Sequence, residues 1–265
     1  MTRLLLVGCG KMGGALLAGW LAEGVSPSDI VIVDPHFAGG ALPPGLRLVA
    51  EPESLPADFK PDLILLAVKP QAMDAVLPAY RRFSDALFLS IAAGRTLQSL
   101  AQWLGAQAAL VRAMPNTPVS VRRGVTVMLA NQHVSMAQRA LCERLMAAVG
   151  EIAWITDEAQ MDAVTALSGS GPAYVFLLVE AMAAAGETLG MTSHLAQSLA
   201  RATVIGAGEL LRQSPLPAAT LRENVTSPNG TTFAALQLLG GPGGLTDLLQ
   251  RAMEAAARRS RELAG

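Results

Sequence analysis

The sequence predicts an α/β protein in which an N-terminal doubly wound sheet precedes an all-helical domain. Three observations carry this. Short apolar runs alternate with helix-like stretches over about the first 155 residues, the pattern of a largely parallel sheet with helices on both faces. A glycine-rich turn joins the first apolar run directly to the first helix-like stretch. Beyond Asp157 the strand pattern stops, and the remaining segments read as helices. The expected division is therefore 1–156 and 157–265.

The strands expected, in order, are Leu4–Val7, Ile30–Val33, Leu46–Val49, Leu63–Ala67, Ala86–Ile91, Ala109–Arg112, Val125–Leu129 and Ile152–Ile155. Helices are expected over Ala15–Leu21, Gln71–Tyr80, Thr96–Trp103 and Met136–Val149. Leu4 to Val7 feeds straight into Gly8-Cys9-Gly10-Lys11-Met12-Gly13, which is the strand, turn and helix order of a Rossmann-type dinucleotide site. Gly8 permits the tight turn, Gly10 lets the backbone approach the phosphates, and Gly13 lets helix and strand pack closely. The pyrophosphate then rests on unpaired N–H groups at the positive end of the helix. The second apolar run ends in Asp34, 21 residues after Gly13, where a carboxylate can bond a ribose hydroxyl. Unusual residues coincide with other strand ends, at Lys69-Pro70, Ala93-Gly94 and Met114-Pro115-Asn116. Ligands bind such sheets beyond the carboxyl ends of the strands.

In the second domain Met161–Leu167, Ala173–Leu189, Leu195–Leu211, Phe233–Leu239 and Thr246–Leu263 read as helices, the last with Thr246 as N-cap and Asp247 in its first turn. Several carry Ala, Leu, Val or Met on nearly all faces. Such helices must be buried, and a domain of about 110 residues cannot cover five of them. A partner subunit is the natural cover, so homo-oligomerisation through this domain is expected. The longest apolar stretch, Ala173–Val179 with Ala181–Gly186, is interrupted by Glu180 and reads as a buried helix too short to cross hydrocarbon.

Hydrophobic residues make up 51% of the chain and the net charge is −1, which gives no electrostatic case for a nucleic-acid partner. The N-terminus is already a strand, so no targeting segment is expected. Two cysteines, Cys9 and Cys142, suggest no disulfide framework and a reducing, cytoplasmic setting. No metal-ligand spacing occurs. The lysines are Lys11, Lys60 and Lys69, so the helical domain has none to act as acid or base. His36, His133 and His194 read as surface or capping residues. If the protein is an enzyme, its chemistry must therefore need no general base. Hydride transfer to a carbon–nitrogen double bond meets that demand, because an imine can be protonated in water. Polar groups converge at Asn224-Val225-Thr226-Ser227-Pro228-Asn229-Gly230-Thr231-Thr232, just before a helix. Free N–H groups and hydroxyls there would receive a carboxylate, or would simply cap the helix.

Gly8 to Gly13, Ala67-Val68-Lys69-Pro70, Ala92-Ala93-Gly94, Met114-Pro115-Asn116-Thr117-Pro118, Asp162-Ala163-Val164-Thr165, Ser168-Gly169-Ser170-Gly171-Pro172-Ala173-Tyr174 and Asn224–Thr232 occur in that order. Together they resemble pyrroline-5-carboxylate reductases, over nearly the whole chain. The resemblance implies an N-terminal Rossmann domain and a helical dimerisation domain. It also implies reduction of Δ1-pyrroline-5-carboxylate to L-proline by NADPH or NADH, and assembly as a homodimer or decamer. It places Gly8, Cys9, Gly10, Lys11, Met12 and Gly13 on the pyrophosphate, and Ala67, Val68, Lys69, Pro70, Ala92, Ala93 and Gly94 along the cofactor's passage toward the nicotinamide. It places Glu158, Asn224, Thr231 and Thr232 around the substrate, with the Thr232 hydroxyl on the ring nitrogen as the catalytic contact. The family's usual Gly-Gly is Asn229-Gly230 here, and Asn is the non-glycine residue that best tolerates a left-handed backbone. Asp34 favours NADH over a 2′-phosphate, whereas the resemblance favours NADPH. Two alternatives remain open at this stage. One is a β-hydroxyacid dehydrogenase-like oxidoreductase, disfavoured by the missing lysine; the other is a non-enzymatic NAD(P)-binding redox sensor.

Overall fold

The structure, a computed structural model, describes residues 2–264. All eight expected strands form, as β1 (Leu4–Val7), β2 (Ile30–Val33), β3 (Arg47–Val49), β4 (Leu63–Leu66), β5 (Leu87–Ser90), β6 (Ala109–Pro115), β7 (Gly124–Ala130) and β8 (Gly150–Trp154). They make one sheet in the order β3-β2-β1-β4-β5-β6-β7-β8. Every pair is parallel except β6–β7. The exception follows from the connection. Only a short 3₁₀ turn, Thr117–Val121, lies between β6 and β7, too little chain for a crossover. The order reverses between β2-β1 and β4, so β1 and its glycine turn lie at the switch point where such sheets bind ligands.

Helices α1 (Lys11–Ala22), α2 (Met73–Val76), α3 (Leu97–Leu104) and α4 (Met136–Ala147) cover the sheet. Thr96 caps α3 by accepting from the Ser99 N–H at 3.1 Å, and Ser135 with Gln138 forms a capping box on α4. Strands buried on both faces read as unbroken apolar runs, and alternate side chains build two cores. Leu4, Leu6, Ile30, Ile32, Leu63 and Leu65 pack with Leu16 and Trp20 of α1 and with Cys142, Leu145 and Met146 of α4. Leu5, Val7, Val31, Val33, Ile64 and Leu66 pack with Leu77, Tyr80, Leu100 and Leu104. The buried Trp20 indole donates to the Leu145 carbonyl at 3.0 Å, so its N–H is not left unpaired.

Beyond β8 come α5 (Met161–Val164), α6 (Gly171–Thr188), α7 (Ser193–Gln213), α8 (Ala218–Asn224), α9 (Thr231–Leu239) and α10 (Leu245–Ala264). Several details differ from expectation. The expected Met161–Leu167 helix stops at Val164 and widens into a π turn over Thr165–Gly169. There the hydroxyls of Thr165 and Ser168 donate back to the carbonyls of Met161 and Val164. The short α8 was not foreseen among its flanking prolines, and Asn224 closes it rather than lying in the loop. Thr246 is not the N-cap of α10. The Leu248 N–H already bonds the Gly244 carbonyl at 3.0 Å, and Asp247 accepts from the Gly243 N–H at 2.5 Å.

The contacts divide the chain into two units, Met1–Gly169 with Ala256–Gly265, and Ser170–Ala255. The Glu158–Gly169 segment and the end of α10 thus group with the sheet, joined by the Ser260 hydroxyl donating to Asp162 Oδ1 at 2.7 Å. In the second unit α6 packs on α7 through small residues: a Cβ on Gly186 would lie 3.1 Å from that of Ala196. The expectation that one chain cannot cover its apolar helices agrees with their exposure, whereas the expectation that the apolar stretch is too short to cross hydrocarbon is corrected on length alone. Phe176 is 61% and Leu177 63% exposed within one chain. The helical run Glu158–Thr188 spans 31 residues, long and apolar enough by length and composition to cross a membrane.

Candidate active site

The glycine turn has the shape its residues require. Gly8 has φ +85°, and its N–H bonds the Val33 carbonyl at 2.9 Å. A Cβ on Gly8 would meet the Ala67 carbonyl group at 3.0 Å, and one on Gly13 would lie 2.5 Å from the Gly8 oxygen. Both glycines therefore serve close backbone packing. Gly10 differs, because a Cβ there would meet nothing within 4 Å. That position borders open space at the N-terminus of α1, where Gly10 is an N-cap without a side-chain cap and the first turn holds no acid. Uncapped N–H groups, an unopposed helix dipole and room above Gly10 fit a dinucleotide pyrophosphate.

Asp34 takes a role that sequence reasoning missed. Its Oδ2 accepts from the Cys9 N–H at 2.7 Å and its Oδ1 from the His36 N–H at 2.8 Å. The carboxylate thus fixes the glycine turn to the end of β2. Burial, then the Asp34 charge, push the Cys9 thiol up from its usual range, which keeps it protonated at neutral pH.

Ala67, Val68, Lys69 and Pro70 follow β4, and Ala92, Ala93 and Gly94 follow β5, both at carboxyl ends. Gly94 turns the chain with φ +75°. Sequence reasoning also missed the side chains that join these turns. The Arg95 guanidinium donates to the Pro70 carbonyl and pairs with Asp74. Nearby, Glu158 Oε1 accepts from the Leu97 N–H and from Arg112, both at 2.9 Å. The Arg112 side chain is only 6% exposed, and a lone charge inside Ala109–Pro115 was the available signal that a partner existed. The other Glu158 oxygen makes no hydrogen bond among the described residues.

In the second unit the Ser227-Pro228-Asn229-Gly230 turn is closed by the Gly230 N–H on the Ser227 carbonyl at 3.1 Å. Asn229 adopts φ +59°, the left-handed conformation expected of it. Gly230 is the N-cap of α9 with no side-chain cap. The α9 N–H groups and the hydroxyls of Thr231 and Thr232 therefore remain available to a ligand, and the Thr231, Thr232 and Asn224 side chains make no hydrogen bond among the described residues. The structure describes this segment and the glycine turn in separate units.

Known proteins are similar along the entire chain. Residues 158–263 match the family described as pyrroline-5-carboxylate reductase dimerisation, and residues 3–94 match NADP oxidoreductase coenzyme F420-dependent. A pyrroline-5-carboxylate reductase of Pseudomonas aeruginosa is 43% identical, covering 99% of this chain and 97% of its own. One from Haemophilus influenzae is 36% identical over 98% and 97%. The solved Coxiella burnetii pyrroline-5-carboxylate reductase superposes with TM-score 0.91 at 34% identity, covering 100% of this chain and 99% of that one. A Plasmodium falciparum pyrroline carboxylate reductase with NADP bound gives 0.85 at 28% identity, over 100% and 98%. With such identity from end to end, this chain belongs to the pyrroline-5-carboxylate reductase family.

Proposed function

We propose that this protein reduces Δ1-pyrroline-5-carboxylate to L-proline with NADPH or NADH. The observation that carries this reading is 43% identity to a reductase across 99% of the chain. An intact, open glycine turn supports it. Bound NADPH or NADH supplies the hydride. Gly8 to Gly13 hold the pyrophosphate through α1 N–H groups, and Asp34 meets the adenosine ribose. Ala67 to Pro70 and Ala92 to Gly94 line the path to the nicotinamide. The uncapped α9 N–H groups and Thr231 receive the substrate carboxylate, with Asn224 of the same unit beside it. The Thr232 hydroxyl hydrogen-bonds the ring nitrogen and orients the imine carbon, so no lysine or metal is needed for the proton already on that nitrogen.

The exposed faces of α6 and α7 are covered by a second copy of the chain, as a dimer or a decamer built from dimers. Two free cysteines, Cys9 and Cys142, support a cytoplasmic location.

The test is NAD(P)H oxidation on addition of pyrroline-5-carboxylate. Thr232→Ala lowers kcat/KM by about 1.5–3 kcal/mol, the scale of one charged hydrogen bond, and leaves cofactor affinity nearly unchanged. Thr232→Ser recovers much of the loss. Full activity in Thr232→Ala, or equal damage in both variants with normal folding, moves the substrate elsewhere.

A further inference from the structure

We propose that Arg95 is a positioning residue for the nicotinamide half of the dinucleotide, locking together the turns that follow β4 and β5. This rests on the cofactor path proposed above. Arg95 stands directly after Gly94, at the exit of the β5 turn. Its Nε and one terminal nitrogen both donate to the Pro70 carbonyl, at 3.1 and 2.7 Å, in the turn after β4. The terminal nitrogens also grip Asp74, at 2.8 and 3.3 Å. Asp74 in turn accepts from the Trp103 indole of α3 at 3.0 Å.

The Arg95 side chain is 23% and that of Asp74 52% exposed, so the ion pair by itself adds little to stability. Its value is geometric. A planar guanidinium fork fixes the direction of the carbonyl it holds, which a lysine cannot do. The β4 turn is already fixed on its other side, because Gly8 brings the backbone of Ala67 close against the glycine turn. The pyrophosphate end of the site is thus held by backbone packing and by the Asp34 carboxylate, whereas the β5 turn is tied to the β4 turn by the Arg95 side chain. Removing that side chain loosens the nicotinamide end and leaves the pyrophosphate end intact.

The test compares the full-length wild type, Arg95→Gln and Arg95→Lys, with Kd measured for NADH and for ADP-ribose. Arg95→Gln raises the NADH Kd roughly tenfold, the scale of one charge-assisted hydrogen bond, and kcat/KM falls in step. The ADP-ribose Kd stays within about twofold, since that fragment lacks the nicotinamide. Arg95→Lys keeps the charge beside Asp74 and recovers part of the loss. An unchanged NADH Kd, or equal weakening for both ligands, overturns the proposal, the latter marking Arg95 as a general staple. If Arg95→Gln does not fold, Asp74→Asn leaves the Arg95 bonds to Pro70 and gives the same split at smaller size; equal shifts there also overturn it. The binding measurements need no turnover. A wild type that binds NADH but does not reduce pyrroline-5-carboxylate therefore overturns the proposed activity without deciding the role of Arg95.

Discussion

The sheet unit and the helical unit are built from similarly apolar sequence, yet they bury it in opposite ways. Every residue of β1, β2, β4 and β5 is buried, and the side chains alternate into two cores within one chain. In the helical unit the buried apolar cluster is Ala183, Ala196 and Ala200, while Phe176, Leu177, Ile205 and Leu210 face outward. A sheet covered by helices on both faces closes its own core. Two long antiparallel helices packed through alanine and glycine leave their large side chains on the outside. The difference teaches that one chain suffices to close the core of the sheet unit, whereas the helical unit leaves open the apolar faces at which association is proposed.

The sharpest way to break this comparison is to place charge on α6. Phe176→Asp with Leu177→Asp buries unpaired carboxylates on both sides of a two-fold interface, at a cost of several kcal/mol per site. Light scattering at micromolar concentration should show loss of the oligomer, while NADH is still bound. An unchanged mass would mean that these faces are not where copies meet. The matching change in the sheet unit, Leu65→Ala, should cost about 2–5 kcal/mol in denaturant unfolding without altering assembly.

A second pair of variants divides the glycine turn into its packing and its binding positions. Gly10→Val should fold with near-native Tm and weaken the dinucleotide by more than about tenfold, because open space becomes an obstruction to phosphate. Gly13→Val should instead cost about 1–3 kcal/mol of stability, because its Cβ meets the Gly8 oxygen. Similar Tm values for the two would erase the distinction.

The smallest expected effect is at Asp34. Asp34→Ser should shift the NADPH:NADH ratio of kcat/KM toward NADPH by about 1–2 kcal/mol, as repulsion of the 2′-phosphate is removed. Affinity for both cofactors should also fall, because the Cys9 N–H loses its acceptor. A fall in both with no change in their ratio would make Asp34 a support of the glycine turn alone.

Much of this was legible in the chain. The β1 turn and α1 could be read from Leu4 to Gly13, and the left-handed Asn229 from its place before Gly230. These are local matters of glycine φ, apolar period and turn chemistry. Other features were hidden for equally physical reasons. The widened turn at Thr165–Gly169 follows from hydroxyls bonding backward within an otherwise helical pattern, which periodicity does not register. α8 is too short to show a period.

The sequence by itself determined the eight strands, the glycine turn after β1 and the polar segment before α9, because each depends on neighbours within a few residues. Only the tertiary structure decided which side chains support those elements. Glu158 meets Arg112 across 46 positions, Asp34 meets the Cys9 N–H across 25, and Arg95 meets Pro70 across 25. Such partners are fixed by which strand ends the sheet order brings side by side, and no local pattern of residues encodes that distance.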